Sequence, residues 1–390
     1  MSEWKKVKLG DICDSQYGYT ASTIEENTGT KFLRITDIVP NQIDWDAVPF
    51  CKISNKERDK YILHKGDIVV ARTGATVGYA KYIKQDVQSV FASYLVRFVV
   101  KREDVYSQYV GYCVESNLFK DYINSIANGS AQPNANSQMM SSFELKIPPL
   151  PTQHRIATIL SRYDTLIENY QKQIKLLEEA AQRLYKEWFV DLRFPGHENT
   201  KMVDGLPEGW ERKKLVDMVD VQYGYAFDGM LFNSDGDGMP ILRIRNIPDG
   251  TTSDFTTEEA PANYIVHSGD IVVGMDGIFH INSWSGGDAY LVQRACSFRP
   301  KEEGIKGFIF QAIQEPIKFF EKTLVGATVA HLGKKHIDSI ELVVPNNHKF
   351  FEAFQTMYIK RQGLLSQIRL LTEARDRLLP RLMGGEMEVK

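Results

Sequence analysis

The chain has few of the features that mark secreted, membrane-spanning or disulfide-rich proteins. Its four cysteines, Cys13, Cys51, Cys113 and Cys296, lie far apart and form no CxxC pair, which argues against a zinc ribbon or a disulfide framework. No apolar run approaches the roughly 20 residues that span a bilayer, and the starting segment MSEWKKVKLGDI lacks the apolar core of a signal peptide. We therefore expect a cytoplasmic protein with reduced thiols.

The sequence also lacks a large charge excess and the common catalytic motifs. Its formal net charge is -3, so a nucleic-acid partner would have to meet local basic patches or basic partner subunits. No GxxxxGK[ST], GxSxG or HExxH motif is present, and the eight histidines are scattered. The glycines of GATVG at Gly74 open no dinucleotide-binding helix, and IPPLP is not preceded by the Asn or Asp of an amino-methyltransferase. We expect a non-catalytic chain that binds no metal and no cofactor itself.

The sequence contains an internal repeat. YILHKGDIVV from Tyr61 returns as YIVHSGDIVV from Tyr264, with eight of ten positions identical. The same blocks occur in the same order around both phrases. Each copy has a Trp, then QYGY, and ends in a helical block. Between these, FLRITDI and SSFELKIPPLP flank the phrase in the first copy, and ILRIRNI and DSIELVVPNNH flank it in the second. A repeat of this length indicates a tandem duplication of one structural unit.

Two long heptad patterns close the two copies. Apolar residues in the first alternate steps of four and three, which is typical of a coiled-coil seam. In the second copy the stripe is interrupted by Arg361 and Arg375. Antiparallel pairing of the two helices would bury both stripes. The first stripe comprises Ile156, Leu160, Tyr163, Ile167, Tyr170, Ile174, Leu177, Ala181, Leu184 and Trp188, and the second comprises Phe354, Met357, Leu364, Ile368, Leu371, Leu378 and Leu382.

These patterns predict an α+β protein with two tandem-repeated mixed α/β domains, separated by two long helices that form an antiparallel coiled coil. Within each domain, DIVVAR, DIVVGM and YLVRFVV predict buried strands of an antiparallel or mixed sheet, and SQYVGYCVESNLFKDYINSI predicts one helix. The boundaries are a first domain at 1–150, a central heptad helix at 151–192, a linker at 193–206, a second domain at 207–346 and a C-terminal heptad helix at 347–390.

The two copies differ most in their polar loops. After the shared strand the first reads ARTGATVGYAKYI and the second GMDGIFHINSWSGG; a second pair is NGSAQPNANSQ against VGATVAHLGKK. Two copies with the same framework but different hydrogen-bonding side chains would suit two domains that recognise different sequences. The DNA major groove offers donor and acceptor patterns that such side chains distinguish. For any one residue a solvated loop position is an equal interpretation, and QYGY is either a phosphate contact or a packed turn.

The candidate DNA-binding residues follow from these loops. In the first copy they are Tyr17, Tyr19, Arg34, Thr36, Arg72, Thr73, Thr76, Gln132, Asn134 and Asn136. In the second copy they are Tyr223, Tyr225, Arg243, Arg245, Asn246, Asp276, His280, Asn282, Thr328, His331, Lys334 and Lys335.

Nearly the whole chain resembles one family, the DNA specificity (S) subunits of type I restriction-modification systems. The resemblance lies in WKKVKLGDI from Trp4, HKGDIVVARTG from His64, IPPLPTQHRIATIL from Ile147, LPEGWERKKL from Leu206 and LLPRLM from Leu378. The second proline-rich boundary departs from the pattern, because it reads VVPNNHKFF.

The resemblance implies two target recognition domains that each read one half of a bipartite, asymmetric DNA site. It also implies two methyltransferase (M) subunits that dock on the helices and carry S-adenosylmethionine, and restriction (R) subunits that use ATP and Mg. The competing interpretations are a coiled-coil scaffold with peptide- or carbohydrate-binding domains, and an enzyme to which this chain contributes a catalytic residue.

Overall fold

The computed structural model describes residues 4–40, 42–127, 133–324 and 330–387. The chain divides into two compact units, one formed by residues 1–165 and 371–390 and the other by residues 166–370. Each unit holds the mixed domain of one copy of the repeat together with a segment of each long helix. No helix among the described residues is both long and apolar enough to cross a membrane.

The described residues of the first unit form two four-stranded sheets and a short two-stranded one. One sheet is antiparallel with the order β2-β9-β6-β7; the other has the order β3-β5-β4-β8, in which β4 and β8 are parallel; β1 pairs with β10. The strands are β1 (Lys5–Lys8), β2 (Cys13–Tyr17), β3 (Thr23–Ile24), β4 (Lys31–Leu33), β5 (Phe50–Cys51), β6 (Ile68–Ala71), β7 (Ala80–Tyr82), β8 (Ser89–Phe91), β9 (Leu95–Val100) and β10 (Glu144–Ile147).

Helices cover these sheets and complete the core. The side chains of α4 and α5, among them Tyr109 and Phe119, pack with strand residues such as Ile68 and Phe98 in one buried cluster. The helices are α1 (Leu9–Ile12), α2 (Ile35–Ile38), α3 (Asn55–Tyr61), α4 (Ser107–Glu115), α5 (Asn117–Ala127), α6 (Ser137–Ser141) and the long α7 (Leu150–Tyr185), which continues into the second unit.

The second unit repeats this architecture. Its antiparallel sheet has the order β14-β22-β19-β20, its mixed sheet the order β15-β17-β16-β21-β18, and β13 pairs with β23. The strands are β11 (Met202–Val203), β12 (Leu206–Pro207), β13 (Trp210–Lys214), β14 (Val219–Tyr223), β15 (Phe232–Asn233), β16 (Met239–Leu242), β17 (Phe255–Thr256), β18 (Ile265–Val266), β19 (Ile271–Gly274), β20 (Ile281–Ser283), β21 (Ala289–Leu291), β22 (Ala295–Pro300) and β23 (Glu341–Pro345). The helices are α8 (Leu215–Met218), α9 (Lys306–Ala312), α10 (Gln314–Thr323), α11 (Lys334–Asp338) and α12 (Lys349–Gly384), whose last part belongs to the first unit.

The repeated phrase forms the same turn in both units. The Asp67 carboxylate accepts from the His64 amide at 2.9 Å, and the Asp270 carboxylate accepts from the His267 amide at 3.0 Å. The glycine of each HxGD has positive φ, which a residue without Cβ adopts without strain. The IVV that follows is fully buried in β6 and in β19. The phrase is repeated because it encodes a turn and a core strand.

The two long helices pack side by side within each unit. In the second unit Glu178 pairs with Arg361 at 2.6 Å, while Trp188 packs on Phe350 and Phe354 with ring centroids 5.8 and 5.9 Å apart. Trp188 lies in the π-helical segment Lys186–Val190, which follows α7 directly. The contacted residues of α12 therefore fall in number as the residues of this helical stretch rise, so the two segments run antiparallel. The prediction of mixed domains with two long, antiparallel, apolar-striped helices is confirmed.

Two local predictions were wrong. The expected single helix after β9 is two helices, because the backbone at Ser116 is extended and its hydroxyl accepts from the Phe119 amide at 3.4 Å, which starts α5. The arginines of the second stripe do not interrupt the packing. Arg361 is 8% exposed and Arg375 is partly buried, and each meets a carboxylate of α7, so both belong to the helix interface.

Candidate nucleic-acid interface

A short segment, the central turn, organises the polar loops of each unit. In the first unit the central turn is Ala92–Leu95, which connects β8 to the first residue of β9. The Ala92 amide donates to Leu33 at the end of β4 (2.9 Å), the Gly18 amide of QYGY donates to Leu95 (3.2 Å), and the Arg72 amide donates to Tyr94 (3.0 Å). Three segments that are distant in sequence therefore meet at one backbone turn.

The corresponding turn of the second unit, Val292–Ala295, makes the same bonds. The Val292 amide donates to Leu242 at the end of β16 (3.0 Å), the Gly224 amide donates to Ala295 (3.0 Å), and the Met275 amide donates to Arg294 (2.8 Å). The two copies thus share a backbone frame on which the loop side chains differ.

The loop after β6 joins the loop before α6 beside the central turn of the first unit. Thr73 and Asn134 form an antiparallel bridge, and the Ala135 amide donates to the Arg72 carbonyl at 2.9 Å. Asn134 is exposed, Thr73 is half-buried, and Thr76 ends a short helical turn in the same loop. The structure therefore brings together these three predicted residues from two loops.

Tyr17 and Arg72 pack against each other at this junction. The Arg72 guanidinium lies 4.8 Å from the centre of the Tyr17 ring, and the Tyr17 hydroxyl accepts from the Ser137 amide at 3.0 Å. This hydrogen bond, assisted by the Arg72 charge, lowers the pKa of Tyr17 below its ordinary value. Among the described residues, Arg72 Nε is buried without a hydrogen-bond partner.

Other predicted residues of the first unit have mainly structural contacts. Arg34 forms a bidentate pair with Asp37, its Nη2 lying 2.8 Å from the carboxylate, although two-fifths of its side chain stays exposed. Thr36 is exposed in α2. Asn136 caps α6 by accepting from the Met139 amide at 2.8 Å. Tyr19 packs on Tyr61 with ring centroids 5.4 Å apart, so it is part of a packed turn.

A charged cluster occupies the matching place in the second unit. Asp276 and His331 form an antiparallel bridge, as Thr73 and Asn134 do, and His331 Nδ1 contacts Asp276 Oδ1. Arg294 Nη1 donates to the other Asp276 oxygen at 2.9 Å. The Asp276 side chain is 17% exposed, whereas that of Arg294 is 69% exposed. The carboxylate is therefore held between two nitrogen groups that reach solvent.

Arg243, Arg245 and Asn246 converge on one carboxylate. Asp254, which is buried, accepts from Arg243 Nη2 at 2.6 Å and from Arg245 Nη2 at 2.7 Å, and Asn246 Nδ2 lies 3.3 Å away. Arg243 is mostly buried, while 63% of the Arg245 side chain is exposed. Arg245 is therefore the member of this group with N–H groups open to a phosphate.

Four further predicted residues of the second unit have different surroundings. Lys334 and Lys335 are exposed at the start of α11, and His280 is half-buried. Asn282 faces the helices, because its Oδ1 accepts from Arg361 of α12. Its Nδ2 donates to the carbonyls of Ile247 and Pro248.

The two tyrosines of the second QYGY are packed residues. Tyr225 packs on Phe227 and Tyr264, with ring centroids 4.8 and 5.0 Å apart. Tyr223 packs on the main core of its unit, and burial raises its pKa to about 12. Gln132 and Thr328 lie outside the described residues.

The sequence reasoning missed Tyr94 and Arg294. Both lie in the central turn, and Tyr94 is 61% exposed. Aligning ASYLVRF with VQRACSF from the shared strand pattern would have marked this position as one where the copies differ in chemistry. Across residues 4–40, 42–127, 133–324 and 330–387, no group of three or more His, Cys, Asp or Glu side chains is arranged to hold a metal ion.

Comparison with known proteins identifies the class that this duplicated architecture defines. The family model described as Type I restriction modification DNA specificity domain matches residues 1–179 and 207–368, and the chain therefore belongs to that family.

Several relatives agree with this assignment. The chain is 26% identical over 415 residues to the type I restriction enzyme MjaIX specificity subunit of Methanocaldococcus jannaschii, covering all of this chain and 94% of that one. It is 30% identical over 141 residues, 36% of this chain, to the EcoBI specificity subunit of Escherichia coli. The crystal structure of the type I restriction-modification S subunit of M. genitalium has the same fold, with a TM-score of 0.57 at 16% identity over all of this chain and 97% of that one.

Proposed function

We propose that the chain is the non-catalytic specificity subunit of a type I restriction-modification complex and that it reads a bipartite, asymmetric site in double-stranded DNA, one half with each repeat. The observation that carries the proposal is the pair of central turns. The same backbone hydrogen bonds hold Tyr94, Thr73 and Asn134 in one copy and Arg294, Asp276 and His331 in the other. Two turns that share these hydrogen bonds but carry different polar side chains suit two domains that recognise different base sequences.

The proposal assigns catalysis to partner subunits. Two methyltransferase subunits would bring S-adenosylmethionine, and restriction subunits, where present, would bring ATP and Mg; this chain would bind no cofactor. The complex would act in the cytoplasm, on DNA. The helix segments of the second unit carry exposed apolar side chains that a docking partner would cover: Leu166, Leu176, Ile359 and Leu370.

Methylation sequencing tests the proposal directly. The chain is coexpressed with its methyltransferase subunits, and modified adenines are mapped. We expect one motif made of two short defined halves with an undefined spacer. Exchanging residues 1–150 for those of a relative with another specificity should change one half and leave the other unchanged. A continuous motif, or a change in both halves, would contradict the proposal.

Salt dependence separates DNA reading from a peptide- or carbohydrate-binding scaffold. Binding of duplex DNA by the complex should weaken steeply and linearly on a log-log plot as salt rises, because phosphate contacts release counterions. Binding through apolar peptide contacts would change little over the same range. A flat salt response with a peptide or glycan ligand would favour the scaffold.

A further inference from the structure

We infer that Arg294 is a base-reading residue of the second repeat, that it recognises guanine in the major groove, and that Asp276 and His331 position it. The inference rests on the proposed function and deepens it, because it names one base and the side chain that reads it.

The position of Arg294 carries the first step. Arg294 lies in the central turn with φ 70°, a left-handed conformation that side chains other than glycine rarely adopt. Such conformations persist where the surrounding structure fixes them, and they concentrate at functional sites. Here the Met275 amide donates to the Arg294 carbonyl at 2.8 Å, and the Gly224 amide donates to the next residue, Ala295, at 3.0 Å. The turn therefore presents this side chain from a fixed backbone.

The contacts of the guanidinium carry the second step. Its Nη1 donates to Asp276 Oδ2 at 2.9 Å, and 69% of the side chain is exposed. A guanidinium has five N–H donors in a planar fork, so an arginine fixed through one of them can still offer two parallel donors. Two parallel donors match O6 and N7 of guanine, which is the commonest specific contact in the major groove.

The other oxygen of the Asp276 carboxylate contacts His331, and this contact is the third observation. Asp276 Oδ1 contacts His331 Nδ1, and the backbone bridge between these two residues joins the loop after β19 to the loop before α11. An isolated carboxylate at a DNA surface would repel phosphates and the acceptor edge of guanine. The Arg294 guanidinium offsets the charge of Asp276, and the contact with His331 holds the carboxylate in the orientation that fixes the arginine.

The first repeat supplies the contrast. The same three positions hold Tyr94, Thr73 and Asn134, which are all uncharged. A phenol cannot present the paired donors of a guanidinium. The inferred guanine preference therefore belongs to the half-site read by the second repeat and to one base pair in it.

Selection from randomised duplexes tests the inference. The complex of this chain with its methyltransferase subunits binds a library of duplexes, and bound sequences are compared for the parent, Arg294→Ala and Arg294→Gln. With Arg294→Ala we expect one guanine of one half-site to become undefined, with about a 5- to 150-fold loss of affinity for the parent site. With Arg294→Gln we expect the preference at that position to move toward adenine, because a carboxamide pairs with adenine N6 and N7.

Two further variants complete the design. Asp276→Asn keeps the arginine but removes its charged support, so the guanine preference should weaken at the same position. Tyr94→Ala is the matched control from the first repeat, and it should leave that guanine unchanged. Thermal unfolding of each variant shows whether the second unit still folds, and only folded variants are compared.

Different failures have different meanings. If the parent complex selects no bipartite motif, the proposed function fails. If the motif is bipartite but Arg294→Ala leaves every position defined, the inference about Arg294 is wrong. If Arg294→Ala weakens all duplexes equally and lowers the salt slope by about one, the residue contacts a phosphate and the inference is also wrong.

Discussion

The two units attach their domain to the paired helices through an arginine of α12, and they do so in different ways. In the second unit, Arg361 donates to Glu178 on α7 at 2.6 Å and also reaches the domain, where it contacts Asn282 and Ser283 of β20. In the first unit, Arg375 donates to Asp164 on α7 at 2.9 Å, and the domain reaches the same carboxylate through the Tyr112 hydroxyl at 2.6 Å.

The two junctions differ in which charged residue connects the helices to the domain. The two arginines are fourteen residues apart along α12 and the two carboxylates fourteen along α7, which is two heptads, so both pairs follow one antiparallel register. In the second unit Arg361 contacts both α7 and the domain. In the first unit it is the carboxylate of Asp164 on α7 that contacts both α12 and the domain. The loss of the arginine should therefore matter more in the second unit.

Arg361→Met should have the largest effect. The substitution keeps the apolar stem over Phe310 but leaves Glu178, Asn282 and the buried Ser283 without their common donor. We expect a loss of about 3 kcal/mol in the free energy of unfolding, the low end for a broken buried pair, since Glu178 is 37% exposed. Urea unfolding followed by circular dichroism measures it.

The control for Arg361→Met is the double variant with Glu178→Leu. If the loss comes from an unpaired carboxylate, the double variant should be more stable than the single one. Equal stability of both would show that the arginine contributes by packing alone.

Gly18→Ala and Gly224→Ala should be next, with equal effects in the two units. A Cβ at either glycine would overlap backbone, the Ala92 carbonyl in one case and the Val292 carbonyl in the other. Backbone cannot move as a flexible side chain can, so we expect about 1–3 kcal/mol of destabilisation for each. Gly29→Ala provides a comparison in which no atom lies nearby, and its positive φ is then the source of strain. Thermal unfolding would contradict the shared-frame interpretation if only one of the two QYGY glycine variants were destabilised.

Arg375→Met should cost less than Arg361→Met. Asp164 keeps the Tyr112 hydroxyl as a donor, and the Arg375 side chain is 25% exposed, so water can replace part of what is lost. We expect about 1–2 kcal/mol in the same urea experiment. A cost equal to that of Arg361→Met would remove the distinction between the two junctions.

The sequence predicted the repeat frame well because the frame depends on local patterns. The turn and strand around Asp67, the strand around Val272 and the seam positions Ile156 and Ile174 all follow from spacing and burial. The predicted domain boundaries and DNA contacts stay predictions.

The organisation of the site depended on long-range pairing that spacing does not reveal. The bridge between Asp276 and His331, and the bond from the Arg72 amide to Tyr94, join segments far apart in sequence. Asn282 illustrates the same limit, because the sequence predicts a DNA-contacting loop there, whereas the residue lies in β20 and its side chain accepts from Arg361. Spacing in the sequence does not show in which direction each side chain points from the backbone that the two copies share.

The smallest expected effect concerns the first tyrosine of QYGY, Tyr17 in one unit and Tyr223 in the other. The hydrogen bond from the Ser137 amide, together with the Arg72 charge, lowers the pKa of Tyr17, whereas burial raises the pKa of Tyr223 to about 12. Tyr17 should therefore ionise first. Phenolate absorbance measured during titration of the parent, Tyr17→Phe and Tyr223→Phe should show that each variant lacks one of these transitions.

The sign of the linked stability change follows from these directions. A raised pKa means that the folded state favours the neutral phenol, so the contribution of Tyr223 is present below pH 10 and is lost between about pH 10 and about pH 12. Tyr223→Phe should therefore lose less stability than the parent across that window. For Tyr17 the direction is opposite, since its contribution is present above the ordinary tyrosine pKa and is lost as the pH falls through the lowered value. If Tyr223 ionised before Tyr17, then Tyr17 would be the packed tyrosine and Tyr223 the open one, which would reverse the contrast between the two units at this position.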